Sequence, residues 1–160
     1  MGWHPPATGG ARPRLPTMTA RIANVTFHAH DPAALARFWA AVMGYPEPEW
    51  LTPEEEAELR AAGLTDDDLA ARAVAWDEDP SHQRFYFARY DHEKRQRNRM
   101  HLDISPSSDR HATREEVEAE RDRLVALGAT VEKVLDGKWG PYDEFAIMMR
   151  DPEGNEFCLQ

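Results

Sequence analysis

The chain has 160 residues, a length that predicts one domain with a hydrophobic core of its own. Its formal net charge is −10, which repels phosphate backbones, and no apolar run approaches the roughly 20 residues that span a bilayer. We therefore predict no binding to nucleic acid or to a membrane. The single cysteine, Cys158, excludes an intrachain disulfide and suits a reducing compartment, so we expect a cytoplasmic protein.

Residues 1–17 precede the predicted domain. They are rich in proline and glycine, have almost no apolar content, and lack the apolar middle region of a signal peptide. This composition predicts a disordered N-terminal extension. A single domain is expected over 18–160, with one half over about 20–92 and a second half over about 98–160.

The first half opens with a predicted strand and a predicted helix. Apolar and polar residues alternate over 21–30, so the strand has one apolar and one polar face. Asp31-Pro32 then indicates a helix start, and apolar residues at helical spacing continue until Gly44 ends the helix. The polar face of the strand carries Asn24, Thr26, His28 and His30. Two more strands are predicted at 73–77 and 84–90.

An acidic stretch over 52–72 is predicted as a helical insertion between these strands. Thr52 and Glu55 form one capping box, and Thr65 and Asp68 form a second one, which starts a short helix through about Arg72. The default interpretation is a surface lid without a special function. The alternative is a contact surface for a protein partner.

The second half repeats the order of strand, helix and strands. A strand is predicted over 99–105, where His101, Asp103 and Ser105 share a polar face, and a capping box at Thr113 starts a helix. Three further strands are predicted at 130–134, 145–150 and 156–160, with a loop at 137–142 and a tight turn at 151–155.

The two halves are similar in pattern. Asn24 and His101 occupy matching points in them, which indicates an internal duplication. An amphipathic helix in each half can cover the apolar face of a sheet, and the opposite faces can then enclose a cleft. We therefore predict an α+β fold of two βαβββ modules, whose curved mixed sheets surround the cleft. Between the halves, the basic cluster 94–99 is interpreted as a solvated linker, with an anion-binding patch as the alternative.

Three segments of the chain resemble a known superfamily. The first runs from Ile22 to Tyr45 and contains Ala34-Leu35-Ala36-Arg37-Phe38-Trp39. The second begins with Arg99-Met100-His101-Leu102-Asp103-Ile104, and the third is Asp151-Pro152-Glu153-Gly154-Asn155-Glu156-Phe157-Cys158-Leu159. In order and spacing they are similar to the glyoxalase/bleomycin-resistance/dioxygenase (vicinal oxygen chelate) superfamily, in its glyoxalase-like branch. The resemblance covers Thr19–Gln160 and implies the two-module fold.

The resemblance also implies where a divalent metal would bind in the cleft. Carried over position by position, the ligand sites fall on Asn24, His101 and Cys158 and near Ala88, and only His101 is a usual ligand at its position. Mg²⁺ and Mn²⁺ prefer oxygen ligands, and Zn²⁺ needs several donors at once. We therefore predict no metal and no other cofactor.

Polar side chains on the inner strand faces are the candidates for the site. His101 and Asp103 are the candidate catalytic pair, because residues two apart on a strand share a face and Asp103 can orient His101 for proton transfer. The alternative is a hydrogen-bonded pair that contacts a ligand without chemistry. Cys158 is a possible nucleophile or a small buried residue. The candidate substrate-binding residues are Asn24, Thr26, His28, Trp50, Tyr86, Ser105, Trp139, Glu156 and Cys158.

The leading functional hypothesis is a glyoxalase-like protein that binds a small organic molecule in the cleft without the superfamily metal. Such a protein would sequester a toxic metabolite or an antibiotic. The alternative is an enzyme of the lyase or isomerase type, which uses His101 and Asp103 or a rearranged metal site. A third hypothesis is a partner-binding module. A homodimer is expected by analogy, because modules of this superfamily often complete a cleft across subunits.

Overall fold

The computed structural model describes residues 22–107 and 112–160, and the extension predicted over 1–17 lies outside them. The first half contains β1 (Val25–Ala29), α1 (Pro32–Met43), α2 (Pro53–Ala61), α3 (Asp66–Ala70), β2 (Arg72–Ala75) and β3 (Phe85–Arg89). The second half contains β4 (Asp103–Ile104), α4 (Arg114–Ala126), β5 (Thr130–Trp139), β6 (Tyr142–Arg150) and β7 (Glu156–Leu159). None of the described helices is long and apolar enough to cross a membrane.

Each half forms one mixed sheet. The first sheet has the strand order β1-β3-β2, and the second has the order β4-β7-β6-β5. In both sheets the first strand of the half lies at an edge and runs parallel to the last strand, whereas the other neighbouring strands are antiparallel. This shared arrangement confirms the predicted α+β fold of two related halves.

The two halves differ in their number of strands. The second half has four strands, whereas the described first half has three, with α2 and α3 between α1 and β2. Acidic residues fill the first turn of both inserted helices, and the capping boxes at Thr52 and Thr65 form as predicted. The short helix ends at Ala70, so Arg72 belongs to β2 and not to the helix.

Helix α1 forms because its two ends carry strong local signals. The side chain of Asp31 accepts a hydrogen bond of 2.9 Å from the Ala34 amide, and Pro32 occupies the first turn. Gly44 ends the helix in the left-handed conformation, with a φ of 70°. The residues that α1 buries are Pro32, Leu35, Ala36, Phe38, Trp39, Ala40 and Val42.

Trp39 of α1 joins the two halves. Its ring centroid lies 5.0 Å from that of Phe27 in β1 and 5.4 Å from that of Phe157 in β7. Its Nε1 donates a hydrogen bond of 3.1 Å to Asp151 Oδ2, directly after β6. Trp39 therefore belongs to one hydrophobic core that contains residues of both halves. A buried aromatic ring of this size contributes much of the energy of such a core.

In the second half, the predicted ends of several strands are wrong. The strand predicted over 99–105 is limited to Asp103–Ile104, because β7 pairs with that stretch alone. The loop predicted over 137–142 is the end of a hairpin, in which β5 continues to Trp139 and β6 begins at Tyr142. Gly140 turns the chain there with a φ of 61°, which suits a residue without a Cβ.

Candidate functional site

A cavity of about 590 Å³ lies where the two halves meet. It is bounded by β1, by the segment 90–102 that connects the halves, and by the start of β7. We call it the inter-module cavity. Since β1 and β4 are edge strands and the residues just before β4 line the cavity, it occupies the seam between the edges of the two sheets.

Aromatic and imidazole rings form one wall of the inter-module cavity. The rings of His28 and Tyr90 stack with their centroids 4.9 Å apart, and His92 packs edge-on against Tyr90 at the same distance. His30 and His101 also line the cavity. This wall offers a ligand flat ring faces together with nitrogen donors and acceptors.

Glu156 holds the connecting segment against the second sheet. Its side chain is only 2% exposed and accepts hydrogen bonds from Lys94 Nζ at 2.9 Å and from the Asn98 amide at 3.0 Å. Arg150 lies 3.6 Å from the same carboxylate. Burial acts to raise the pKa of Glu156, but the hydrogen bonds from Lys94 and Asn98 outweigh it and lower the pKa to about 2. The carboxylate is therefore committed to partners within the protein.

His101 and Asp103 lie together, as the strand pattern predicts. Nδ1 of His101 lies 3.2 Å from Oδ1 of Asp103, and the two side chains are 40% and 52% exposed. His101 also lines the inter-module cavity. The pair is thus an exposed contact at ion-pair distance, and Nε2 of His101 has no partner among the residues that the structure describes.

The structure brings four of the predicted site residues together. Thr26, His28, His101 and Glu156 line the inter-module cavity. The predicted site residues that do not line it are Asn24, Tyr86, Asp103, Ser105 and Cys158. Trp50 lies in a separate groove of about 580 Å³ beside Trp76. The side chain of Trp139 lies outside the part of the chain that the structure describes.

Cys158 lies within the second sheet. It is 7% exposed and is the pairing partner of Asp103 across the parallel strands β4 and β7. Burial, and after it the negative charge of Asp103, raises the pKa of the Cys158 thiol. A thiol that stays protonated is a poor nucleophile and a poor metal ligand, which favours the interpretation of Cys158 as a small buried residue.

The side chains at the superfamily's metal positions do not fit a divalent cation. Ala88 carries no donor atom, Asn24 precedes β1, and the Cys158 thiol has a raised pKa. Only His101 remains as an ordinary ligand, and its Nδ1 faces Asp103. Within residues 22–107 and 112–160, no three His, Cys, Asp or Glu side chains are grouped so that they could hold an ion. This donor set does not make a metal centre of the superfamily type.

The connecting segment supplies cavity residues that the sequence interpretation missed. Tyr90, His92 and residues 93–96 line the cavity, although the basic composition of the cluster favours a solvated linker. Arg97 donates to the Met148 sulfur at 3.4 Å, so the segment lies across the open face of the second sheet. The one local signal is the spacing of Tyr90 and His92, whose period of two indicates a shared face.

The fold and the cavity together define a class of protein. Two mixed sheets, each with its first and last strands parallel, meet around one cavity, and this is the glyoxalase-type arrangement. A family model for the glyoxalase-like domain matches residues 24–160, so the chain belongs to this family, within the glyoxalase/bleomycin resistance/dioxygenase superfamily. Among curated proteins, no sequence matches the chain.

Solved structures share the fold at low sequence identity. A glyoxalase/bleomycin resistance protein/dioxygenase family enzyme from Burkholderia phytofirmans PsJN is 17% identical, with a TM-score of 0.57 over 88% of this chain and 97% of that one. A glyoxalase-related enzyme from Fulvimarina pelagi is 15% identical, with a TM-score of 0.55 over 88% and 87% of the two chains.

A third similar structure is a mutant of the fosfomycin resistance protein FosX from Listeria monocytogenes, in complex with Mn(II) and 1S,2S-dihydroxypropylphosphonic acid. It is 12% identical, with a TM-score of 0.57 over 89% of this chain and 90% of that one. At these identities the likeness establishes the fold alone.

Proposed function

We propose that the protein binds a small organic molecule in the inter-module cavity, without the metal of the superfamily. The observation that carries this proposal is the cavity itself, whose volume of about 590 Å³ lies in the range of roughly 300–1,000 Å³ typical of small-molecule sites. Half-buried apolar residues such as Val25 and Phe27 lie there beside polar residues such as Thr26 and Asn98. This mixture suits a ligand with an apolar body and a few polar groups.

The role that we propose for this binding is sequestration of a toxic metabolite or an antibiotic. The structural neighbour from Listeria is a resistance protein. Binding without turnover lowers the free concentration of a harmful compound whenever the protein is in excess over it. The unsuitable donor set at the metal positions supports a role that does not depend on metal chemistry.

Thermal unfolding in the presence of a panel of metabolites and antibiotics tests the binding. A ligand at a hundred times its Kd adds about 2.7 kcal/mol to the stability of the folded state, so its melting temperature should rise measurably. Thr26→Trp fills the cavity and should abolish the rise, whereas Thr130→Trp, on the exposed β5, should keep it. The proposal fails if no compound raises the melting temperature, or if Thr26→Trp responds as the unmodified chain does.

Elemental analysis tests the metal-independent part of the proposal. Protein purified without a chelator should contain well under one equivalent of Ni, Zn, Mn or Fe, because the donor set is incomplete. Close to one equivalent of any of these metals would contradict it and point to a rearranged metal site.

A second candidate function is an enzyme of the lyase or isomerase type. The 3.2 Å approach of Asp103 to His101 favours it, since an imidazole beside a carboxylate can transfer a proton to or from a bound ligand. NMR spectra of the compounds that bind would reveal turnover. His101→Gln should then abolish the turnover and keep the binding, and Asp103→Asn should slow it. If no bound compound is converted, this second candidate is wrong.

We also propose that the protein is cytoplasmic and that it forms a homodimer. Sedimentation equilibrium distinguishes a monomer of 18.3 kDa from a dimer. Deletion of residues 52–70, which leaves β2 intact, tests the insertion as a partner surface, and an unchanged set of co-purifying proteins would contradict that role.

A further inference from the structure

We propose that the ligand of the inter-module cavity carries an oxyanion, either a carboxylate or a phosphonate, on a flat apolar body. This inference rests on the proposed function, because it names the chemical class of the molecule that the cavity binds. Three features of the described residues carry it: the apolar lining, the pairing of the charges around the cavity, and the distribution of charge over the chain.

The lining of the cavity accounts for the apolar body. Val25, Phe27 and Leu102 are half-buried apolar residues on its surface, and the stacked rings of His28 and Tyr90 form the adjacent wall. These two rings already stack on each other, so a further ring can pack only against an outer face or an edge of the pair. An aryl or similarly flat group therefore fits the cavity better than a highly hydrated sugar.

Three carboxylates line the cavity: Glu93 is exposed and has no hydrogen bond or ion pair within the described residues, whereas the partly or fully buried Glu153 and Glu156 already have partners. Glu156 accepts hydrogen bonds from Lys94 and the Asn98 amide, as described above, and Glu153 accepts one of 2.9 Å from the Asp31 amide. Both carboxylates are therefore occupied by donors of the protein. A cationic ligand would find only the exposed Glu93 as an unpaired carboxylate.

Two arginines of the cavity have no such partner. Arg95 and Arg99 line it, and neither side chain has a hydrogen bond or an ion pair with any residue that the structure describes. A guanidinium group presents a planar set of N–H donors that matches a carboxylate or a phosphonate in two simultaneous hydrogen bonds. With two unpaired guanidinium groups against one unpaired carboxylate, the cavity favours an oxyanion over a cation.

The net charge of −10 does not oppose an anionic ligand at this place. Residues 47–79 contain twelve of the 29 acidic residues and two of the 19 basic ones, so acidic and basic residues are equal in number over the rest of the chain. Helix α3 of this segment packs against β2, at the opposite edge of the first sheet from β1. The cavity beside β1 therefore belongs to the electrically balanced part of the molecule.

Four probes with one phenyl ring test the inference: phenylacetate, benzylphosphonate, the neutral phenylacetamide and the cationic 2-phenylethylamine. Their Kd values are measured by ligand-observed NMR on the full chain. At least one of the two acids should bind about tenfold more tightly than phenylacetamide, because hydrogen bonds to charged groups are that much stronger, and 2-phenylethylamine should bind most weakly. The tighter of the two acids identifies the oxyanion.

The double variant Arg95→Gln/Arg99→Gln should remove the advantage of the acids and leave the Kd of phenylacetamide unchanged. The matched control is Arg37→Gln/Arg72→Gln, which removes the same charge from two exposed arginines outside the cavity and should keep the advantage. Loss of the advantage in both double variants would overturn the inference, since the effect would then come from net charge alone.

The outcomes separate this inference from the proposed function. If phenylacetamide binds as tightly as the acids and Thr26→Trp abolishes all binding, the oxyanion inference is overturned and the proposed function stands. If none of the four probes nor any compound of the thermal panel binds, the proposed function fails, and the inference fails with it.

Discussion

Asp151 is a buried carboxylate, 3% exposed, in the turn between β6 and β7. It accepts hydrogen bonds from the Trp39 indole at 3.1 Å and from the backbone amides of Glu153 and Asn155 at 3.0 and 2.9 Å. Burial raises the pKa of Asp151, and the hydrogen bonds act against this effect. One side chain thus fixes the turn and anchors the central aromatic residue of the core.

Replacement of Asp151 by alanine should lower the free energy of unfolding by about 2–4 kcal/mol, because it leaves a buried indole N–H and two turn amides without their acceptor. Asp151→Asn keeps one acceptor oxygen and should lose about half as much. Urea unfolding, followed by tryptophan fluorescence, measures both variants. A midpoint for Asp151→Ala equal to that of the unmodified chain would contradict the anchoring role.

Glu156 makes the stability of the fold sensitive to acid. Its pKa of about 2 in the folded protein is below the ordinary glutamate value of 4.5. A lowered pKa means that the contribution of the group is complete above about pH 4.5 and is lost as the pH falls toward 2. A difference of this size corresponds to about 3 kcal/mol.

Glu156→Gln should therefore lower the stability at pH 7 and flatten the fall in the free energy of unfolding between pH 4.5 and pH 2. Urea unfolding at a series of pH values gives this slope. Glu47→Gln is the control, because Glu47 is exposed and has no hydrogen bond or ion pair within the described ranges. Equal slopes for Glu156→Gln and the unmodified chain would show that the buried contacts of Glu156 are not responsible.

At the scale of elements, α2 and α4 begin with the same capping box but differ in what they bury. Helix α4, capped by Thr113, places Val117 and Leu124 in the core, whereas α2, capped by Thr52, buries no residue. Most helical stability in proteins comes from packing. The same capping box should therefore matter more for the stability of the whole fold in α4 than in α2.

Thr113→Ala should lower the global free energy of unfolding by about 1 kcal/mol, the usual cost of losing a helix cap. Thr52→Ala should instead open the start of α2 locally and leave the global value nearly unchanged. Urea unfolding measures the first effect, and amide hydrogen exchange over 53–61 measures the second. A global loss from Thr52→Ala as large as that from Thr113→Ala would contradict this distinction.

The helices were more predictable from the sequence than the strands. The four residues that predict a helix start, Asp31, Thr52, Thr65 and Thr113, all cap helices in the structure, because a cap depends on residues within one turn. The ends of strands depend on partners distant in sequence. For this reason β4 is shorter than predicted, and the ladder of β5 and β6 is longer.

At the scale of the whole molecule, side chains join the two halves. Arg123 of α4 donates to the backbone carbonyls of Ala41 at 3.0 Å and Val42 at 3.5 Å, near the end of α1. Helix α1 has no basic residue in its own last turn. A cation from the second half therefore satisfies the terminal carbonyls of a helix in the first half.

Arg123→Ala should lower the free energy of unfolding by about 1–2 kcal/mol and reduce the amide protection at the end of α1. Arg121→Ala is the matched control, because Arg121 pairs with Asp122 of its own helix and should cost less than about 0.5 kcal/mol. Urea unfolding and hydrogen exchange give both readouts. Equal losses from the two variants would contradict a role of Arg123 in joining the halves.

The candidate site was predictable in part, from the strand at the start of each half. Thr26, His28 and His101 line the cavity as predicted, but their apolar neighbours Val25, Phe27 and Leu102 line it too, so alternation predicted the strand and not which of its faces meets the cavity. The wall formed by residues 90–98 was not predictable, since Glu156, which holds it, lies 62 residues along the chain from Lys94. A contact of this kind appears only when the two halves pack together.

The strand order has a consequence for how a ligand binds. Within the described ranges the two sheets share no strand pairing, and the cavity lies between their outer strands. The halves are joined instead by the shared hydrophobic core around Trp39 and by side-chain contacts such as Asp31–Glu153, while the Lys94–Glu156 contact holds the connecting segment. A ligand bound between β1 and the connecting segment would therefore leave the hydrogen-bond ladders of both sheets intact.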